Sequence, residues 1–489
     1  MYGLEFDANA YVPFVERWPW SAQLVAQAFY EPLATFNDQG EVVPYLAERI
    51  ESNPSFTEWT IKVRPGIRFH DGLPLDAEAV KMNLDKHGFT NFSPLEPVDH
   101  IEVVDPLTVR VVMKRPWAQF PAHLTGQIGN QVGYMASPSL IQADRLDAKP
   151  VGTGPFKFDT WVPSDRISGY RNPDYWQPGL PYVDAVEFRF IPDHHQRIAE
   201  LQAGRLDAMI TTYAAILDEL PDSERFHVIE GSGNAPERFV LLNTEVAPLD
   251  DLRIRRALAH ATDRQAVAEA VEHNRARPAD GPYEPGSPWY APTPYPDYDP
   301  EQARQLVAEY EADKGPVRIE LAGWNSPDGV ALQQVLADQW RAVGIDVSLI
   351  STTQRTLPVQ AASGKYQAMT FRLFDNVDPD EDYMFLHSSS YNPGGAVTLL
   401  LSRLRDSQLD AALDEGRASN DPATRKRAYA KVQERLNATL PFIWLYHSQA
   451  ILITSEQING IEGAPLPDGS TAMTLVNGRH FFGPVWVSR

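Results

Sequence analysis

Apolar and polar residues alternate most clearly at 57–65, "TEWTIKVRP", where Trp59, Ile61 and Val63 interleave with Thr60, Lys62 and Arg64. A period of two puts one set of side chains on one face, the mark of a half-buried antiparallel strand. A turn punctuated by Gly66 and Gly72 follows, and Asp76 stands where an N-cap would start the helix "AEAVKMNLDKH". "HIEVVDPLTVRVVMKRP" (100–116) reads as a hairpin turning at Asp105-Pro106. The first segment, 34–150, therefore predicts a small α+β module.

The pattern changes after "VGTGPFKFDTW" (151–161). A strand, "AVEFRFIPD" (185–193), precedes a helix with Ile198 and Leu201 inward and Gly204 as its left-handed stop; "LDAMITT" (206–212) is the next strand. That order predicts a crossover and a parallel pair. In 248–274, Ile254, Ala257, Leu258 and Ala261 recur at helical spacing, and Asp263 caps a second helix with Ala266, Val267 and Ala270 inward. The Pro- and Tyr-rich stretch 282–300 cannot be a regular element and reads as an extended wrap. "PVRIELAGW" (316–324), a helix lined by Leu332, Val335, Leu336 and Val343 that stops at Gly344, and "IDVSLI" (345–350) form a second strand–helix–strand unit. "YQAMTFRLF" (366–374) adds a strand, Asp421 and Pro422 open a long helix, and "PFIWLY" and "AILIT" return as strands.

Composition narrows the function. The chain has 489 residues, which at ~150 per domain gives about three domains or two large lobes. A net charge of −22 repels phosphate backbones and anionic headgroups, which argues against nucleic acid and membrane surfaces and favours a cationic or zwitterionic ligand. No cysteine is present, so disulfides, thiolate catalysis and Cys-ligated zinc are excluded. No run approaches the ~18 apolar residues of a membrane span. Met1 runs directly into the strand-like "YGLEFD", so the chain is either cytosolic or begins after a removed signal.

The densest chemistry lies at 371–383, "FRLFDNVDPDEDY", which carries Arg372 and the acids Asp375, Asp378, Asp380, Glu381 and Asp382 at the end of a predicted strand. In open α/β sheets ligands bind at such ends. A calcium loop needs Gly and Glu where Tyr383 and Ser389 stand. For catalysis there is no Gly-x-Ser-x-Gly elbow, no His-Glu-x-x-His and no P-loop after Gly152-Thr153-Gly154. Carboxylates adjacent in sequence do not set the ~5–9 Å facing geometry of a hydrolase. For recognition, Asp375 can take a ligand ammonium and Arg372 a carboxylate, or each can pair within the chain. Asp380, Glu381 and Asp382 read as a solvated helix start.

Five blocks, "YEPLATFNDQGEVVPYLAERI", "GIRFHDGLPLDAEAV", "VGTGPFKFDTW…YRNPDYW", "LNTEVAPLDDLRIRRALAHATDR" and "VGIDVSL", lie in order along nearly the whole chain. Together they resemble the family 5 extracellular solute-binding proteins, receptors of ABC importers for peptides, nickel complexes and opines. The resemblance implies an α/β, two-lobed, three-domain periplasmic binding protein with two hinge strands. Domain I would comprise 1–33, 151–244 and 465–489, domain II 34–150 and domain III 245–464. It also implies a periplasmic or cell-surface location, with lipid anchoring if a cysteine precedes the mature domain. The expected molecule is a monomer serving ABC permease subunits, with no cofactor, no resident metal and no enzymatic activity.

Peptide receptors of the family bind the ligand amino group through a Trp-x-x-Asp pattern. Here Asp375 holds the Asp place and Arg372 the Trp place. Where dipeptide receptors carry a carboxylate-gripping Arg, this chain has Val330 and Ala331; where nickel receptors carry theirs, it has Gly133. The expected ligand thus bears both an amino group and an acid: a peptide, an opine or another amino-acid conjugate. The expected binding set is Asp375, Arg372, Asn376, Trp18 and Trp324, the tryptophans as apolar walls. The alternatives are a nickel-chelate receptor of the same fold and a secreted hydrolase using paired carboxylates.

Overall fold

The structure, a computed structural model, describes residues 1–488 except 15–17, 89–92, 127–130, 144–148, 221–224, 232–236, 354–355, 374–375, 393–396 and 477. Its first lobe is built on a seven-stranded sheet whose central strand is the N-terminal Tyr2–Leu4. That strand runs parallel to both Ala185–Phe190 and Ala208–Thr211. The expected parallel pair therefore exists but is not adjacent. A strand from outside the unit slots between the two, which no local pattern announces. The linking helix, His194–Gln202, starts where Asp193 accepts the Gln196 N–H and ends before Gly204 at φ +70°, the left-handed conformation that favours glycine.

The small module is a four-stranded antiparallel sheet, Ala47–Ser52, Glu58–Val63, Thr108–Met113 and Val98–Asp105 in that spatial order. Trp59, Ile61 and Val63 are buried, and Asp76 accepts from the Ala79 N–H at 2.9 Å to start the helix Ala77–His87. The module's apolar core joins that of residues 33–135 to Ala464, Leu466 and Ala472.

The second lobe has a six-stranded sheet ordered Arg277–Pro278, Phe442–His447, Glu237–Leu242, Ala368–Leu373, Arg318–Trp324, Asp346–Thr352. Arg318–Trp324 is parallel to both its neighbours. Asp263 caps the helix Arg264–Glu272, whose inward face is Val267, Ala268 and Val271; Ala270, expected inside, is exposed. The 282–300 stretch wraps this lobe: Tyr283 is buried, Trp289 sits edge-on to Tyr429 at 5.5 Å, and the Tyr295 hydroxyl accepts the Trp444 N–H.

The chain crosses between lobes twice, from Phe226–Glu230 to Glu237–Leu242 and from Phe442–His447 to Ile451–Ser455. Sheet membership thus puts 237–242 in the second lobe and 451–455 in the first, ahead of the expected divisions at 244/245 and 464/465. Both flanks of each crossing are apolar strands, so hydropathy does not reveal which sheet takes them. At the crossings, buried His447 donates from Nδ1 to Glu237 Oε1 at 3.0 Å, and burial pushes the imidazole down to about 4. Five apolar clusters make up the core. Three draw only on residues before 230 and after 450, and two only on residues 239–446. Among the described residues none is shared between lobes.

Candidate functional site

A cavity of about 630 Å³ opens between the lobes. Its first-lobe wall continues from the C-terminal ends of the parallel strands Tyr2–Leu4 and Ala185–Phe190, supplying Glu5, Phe6, Asp7, Phe190 and Pro192. Its second-lobe wall comes from the same ends of Arg318–Trp324 and Ala368–Leu373, supplying Trp324, Phe371, Arg372 and Leu373. Two sheets thus present their ligand-binding edges to one space.

Four of the five residues expected from sequence line this cavity: Trp18, Trp324, Arg372 and Asn376. Asp375 lies outside the described residues. Trp18 is buried, spends its indole N–H on Ala10 O at 2.8 Å, and packs against Tyr30 and Tyr134. Trp324 stacks on Phe371 at 6.3 Å between ring centres, with the Arg238 guanidinium 5.0 Å from its ring. Arg372 reaches across to the first lobe: its Nη1 donates to Thr212 Oγ1 at 3.1 Å and its guanidinium lies 5.7 Å over Trp20. Asn376 is buried and donates from Nδ2 to Asp382 Oδ1 at 2.8 Å.

Sequence reasoning missed Trp20, Phe371, Phe385, Glu5 and Asp7, all on the cavity wall. The signal for Glu5 and Asp7 was available: the strand-end rule applies equally to "YGLEFD". Glu5 sets the charge balance of the floor. Burial raises its carboxyl, Arg197, Arg372 and Arg238 pull it back, and Asp328 adds to the rise. Most of the remaining lining is aromatic and aliphatic, with Asn9, Ser164, Asn376 and Asp382 as the other polar side chains, so the charges there are lightly screened.

The acids of 378–382 overturn one expectation. They are not a solvated helix start; Asp378, Asp380, Glu381 and Asp382 are all buried in the short turn Pro379–Asp382 and the residue before it. Asp378 accepts from Arg425 Nη2 at 2.7 Å. Asp380 accepts three side-chain donors: Trp117 Nε1 at 2.8 Å, His123 Nε2 at 3.0 Å and Arg417 Nε at 2.8 Å. Burial alone would raise the Asp380 carboxyl, but Arg417 and His123 hold it well below the ordinary carboxylate range. Glu381, next in the chain, has no hydrogen-bond partner on either oxygen. Burial, with Asp378 and Asp382 adding, pushes its carboxyl well above the ordinary range against the pull of Arg479. Adjacent carboxyls are therefore pushed in opposite directions, Asp380 down by its donors and Glu381 up by burial, through partners that local sequence does not display.

A second cavity, about 550 Å³, lies on the other side of the same segment. Asn376 lines the first cavity, and Val377 and Asp378 line the second, with Gln39 and Gln119 from the first lobe and Ser287 and Trp289 from the second. Among the described residues no group of three or more His, Asp or Glu side chains is placed to hold a metal ion. No described helix is long and apolar enough to cross a membrane.

The model of the bacterial extracellular solute-binding proteins, family 5 Middle, matches residues 41–395. The glutathione-binding protein GsiB of Pectobacterium atrosepticum is 26% identical over 464 residues, covering 91% of this chain and 88% of that one. Among solved structures, the periplasmic binding protein DppA from Helicobacter pylori in complex with the peptide STSA superposes with a TM-score of 0.86 at 21% identity, over 100% of this chain and 98% of that one. The binding protein AgaA from A. tumefaciens R10, in complex with agropinic acid, gives 0.85 at 21% identity with the same coverage. These likenesses fix the large two-lobed fold. This chain belongs to the bacterial extracellular solute-binding proteins, family 5, which serve ABC importers.

Proposed function

We propose that this chain captures a peptide or other amino-acid-like zwitterion outside the cytoplasm, bearing an anionic group and an apolar side chain, and hands it to the permease of an ABC importer. The observation that carries this reading is Arg372, a cation at a strand end on the wall of an interlobe cavity that is otherwise mostly aromatic and aliphatic. A guanidinium there offers a forked pair of donors to a carboxylate. Asp375, three residues on, takes the ammonium end in this reading. Trp18, Trp324 and Phe371 supply the surface against which an apolar side chain is buried.

Binding then needs no chemistry. Ligand touching both lobes favours the closed form by its differential affinity for it. Thr212 of the first lobe accepts from Arg372 Nη1, so the protein itself helps to orient the cation. The test is titration calorimetry with glutathione and a panel of di- to pentapeptides, followed by Arg372→Ala and Asp375→Ala on whichever member binds. Removing one partner of a desolvated charge pair costs about 2–5 kcal/mol; an affinity unmoved by either change rejects the assignment.

A further inference from the structure

Among the described residues no apolar cluster is shared between the lobes, and polar contacts cross between them, with three side-chain donors converging on Asp380. The carboxylate belongs to the second lobe and has no solvent exposure. Two of its three side-chain donors, Trp117 and His123, come from the first lobe; the third, Arg417, comes from its own. The first-lobe donors are fixed in advance: the Trp117 indole packs against Phe120 at 5.2 Å and the His123 ring at 4.7 Å. Arg417 is gripped at both ends. Its guanidinium lies 3.4 Å over the Tyr383 ring and 5.1 Å from Trp117. Its carbonyl accepts the Ala118 N–H at 3.0 Å, and Gln119 Nε2 reaches Ser419 O at 2.7 Å. None of Trp117, His123, Asp380 or Arg417 lines the main cavity.

We propose that Asp380, clasped by Trp117 and His123 across the lobes and steadied by Arg417, sets the fraction of molecules that are closed. Through that fraction it sets affinity for ligand without touching it. The physical basis is that a charge-assisted hydrogen bond in a dry site is worth more than the bond to water it replaces. The apparent dissociation constant scales inversely with the closed fraction. The consequence for affinity rests on the capture reading above; the clasp itself does not, and its test uses no ligand.

The chain has no cysteine, so a Gln39→Cys/Ser287→Cys pair, facing across the second cavity from opposite lobes, can be bridged by a short bis-maleimide without background. The bridging rate counts closed molecules where the open form prevails. Exchange of the Ala118 amide, bonded to Arg417 O across the lobes, counts open molecules where the closed form prevails. Trp117→Phe removes one first-lobe donor, keeps an aromatic ring at that place and leaves the Asp380–Arg417 pair of the second lobe untouched; Asp380→Asn weakens the whole clasp. We expect bridging to slow, or Ala118 exchange to quicken, roughly tenfold in Trp117→Phe and further in Asp380→Asn, while amides of the four-stranded sheet keep their protection. Bridging and exchange both unchanged in the two variants would overturn the proposal, whatever the ligand proves to be.

Discussion

The lobes meet at two polar seams of unlike character. At the first, Asp380 is dry and saturated with donors, and its charge is held in place. At the second, Glu272 at the end of its helix accepts the Ala214 N–H of the first lobe at 2.8 Å, and Asp218 of the first lobe pairs with His273 and Arg275. Glu272 is about as deeply buried as Asp380, but the donors that meet it are the N–H groups of Ala214 and Ala215 and the Tyr446 side chain rather than a guanidinium. Burial pushes its carboxyl up to about 7, against the pull of Arg238 and the Ala214 N–H. Asp218 stands in solvent. The difference teaches that burial alone does not decide how a carboxylate joins two bodies; a guanidinium hydrogen-bonded to it does.

The largest effect expected on this contrast is from Asp380→Ala. It strands the Arg417 guanidinium without its anion in a buried site, a loss of about 3–5 kcal/mol, read by urea unfolding. A loss below about 1 kcal/mol would erase the distinction between the seams. Glu272→Gln comes next. The carboxyl titrates higher in the fold than in the unfolded chain, so its stabilisation is complete below an ordinary glutamate pKa and is lost as pH rises through about 7. Between those limits the parent should lose roughly 3 kcal/mol that the Gln variant retains. Parallel pH–stability curves for the two proteins would contradict this. The smallest effect is from Asp218→Asn, a pair in water: its small destabilisation should vanish in about 0.5 M salt, whereas that of Asp380→Ala should persist.

Much of the fold was legible because its signals are local. Asp76, Asp263 and Asp421 each accept the N–H three residues on, at 2.9, 3.0 and 2.8 Å, where a capping residue was expected. Arg372 and Trp324 could be placed because each lies at or near the C-terminal end of a predicted strand of one α/β layer, where a ligand edge is expected. The acids of 378–382 could not be placed. A run of five residues with four acids reads as solvated unless its neutralising partners are known. Those partners, Trp117, His123, Arg417 and Arg425, stand between 37 and 263 positions away. The same limit hid the N-terminal strand between Ala185–Phe190 and Ala208–Thr211. Periodicity reports which face is dry and is silent on which distant segment dries it.

Because each half keeps its own oily interior among the described residues, swinging the halves apart splits none of these clusters. The two strand-to-strand passages near 231 and 449 are therefore natural splice points. A chimaera that takes its second half from a relative, joined there, would inherit one cavity wall and keep the other. Exchanged specificities could then be assigned to a wall before any single side chain is altered.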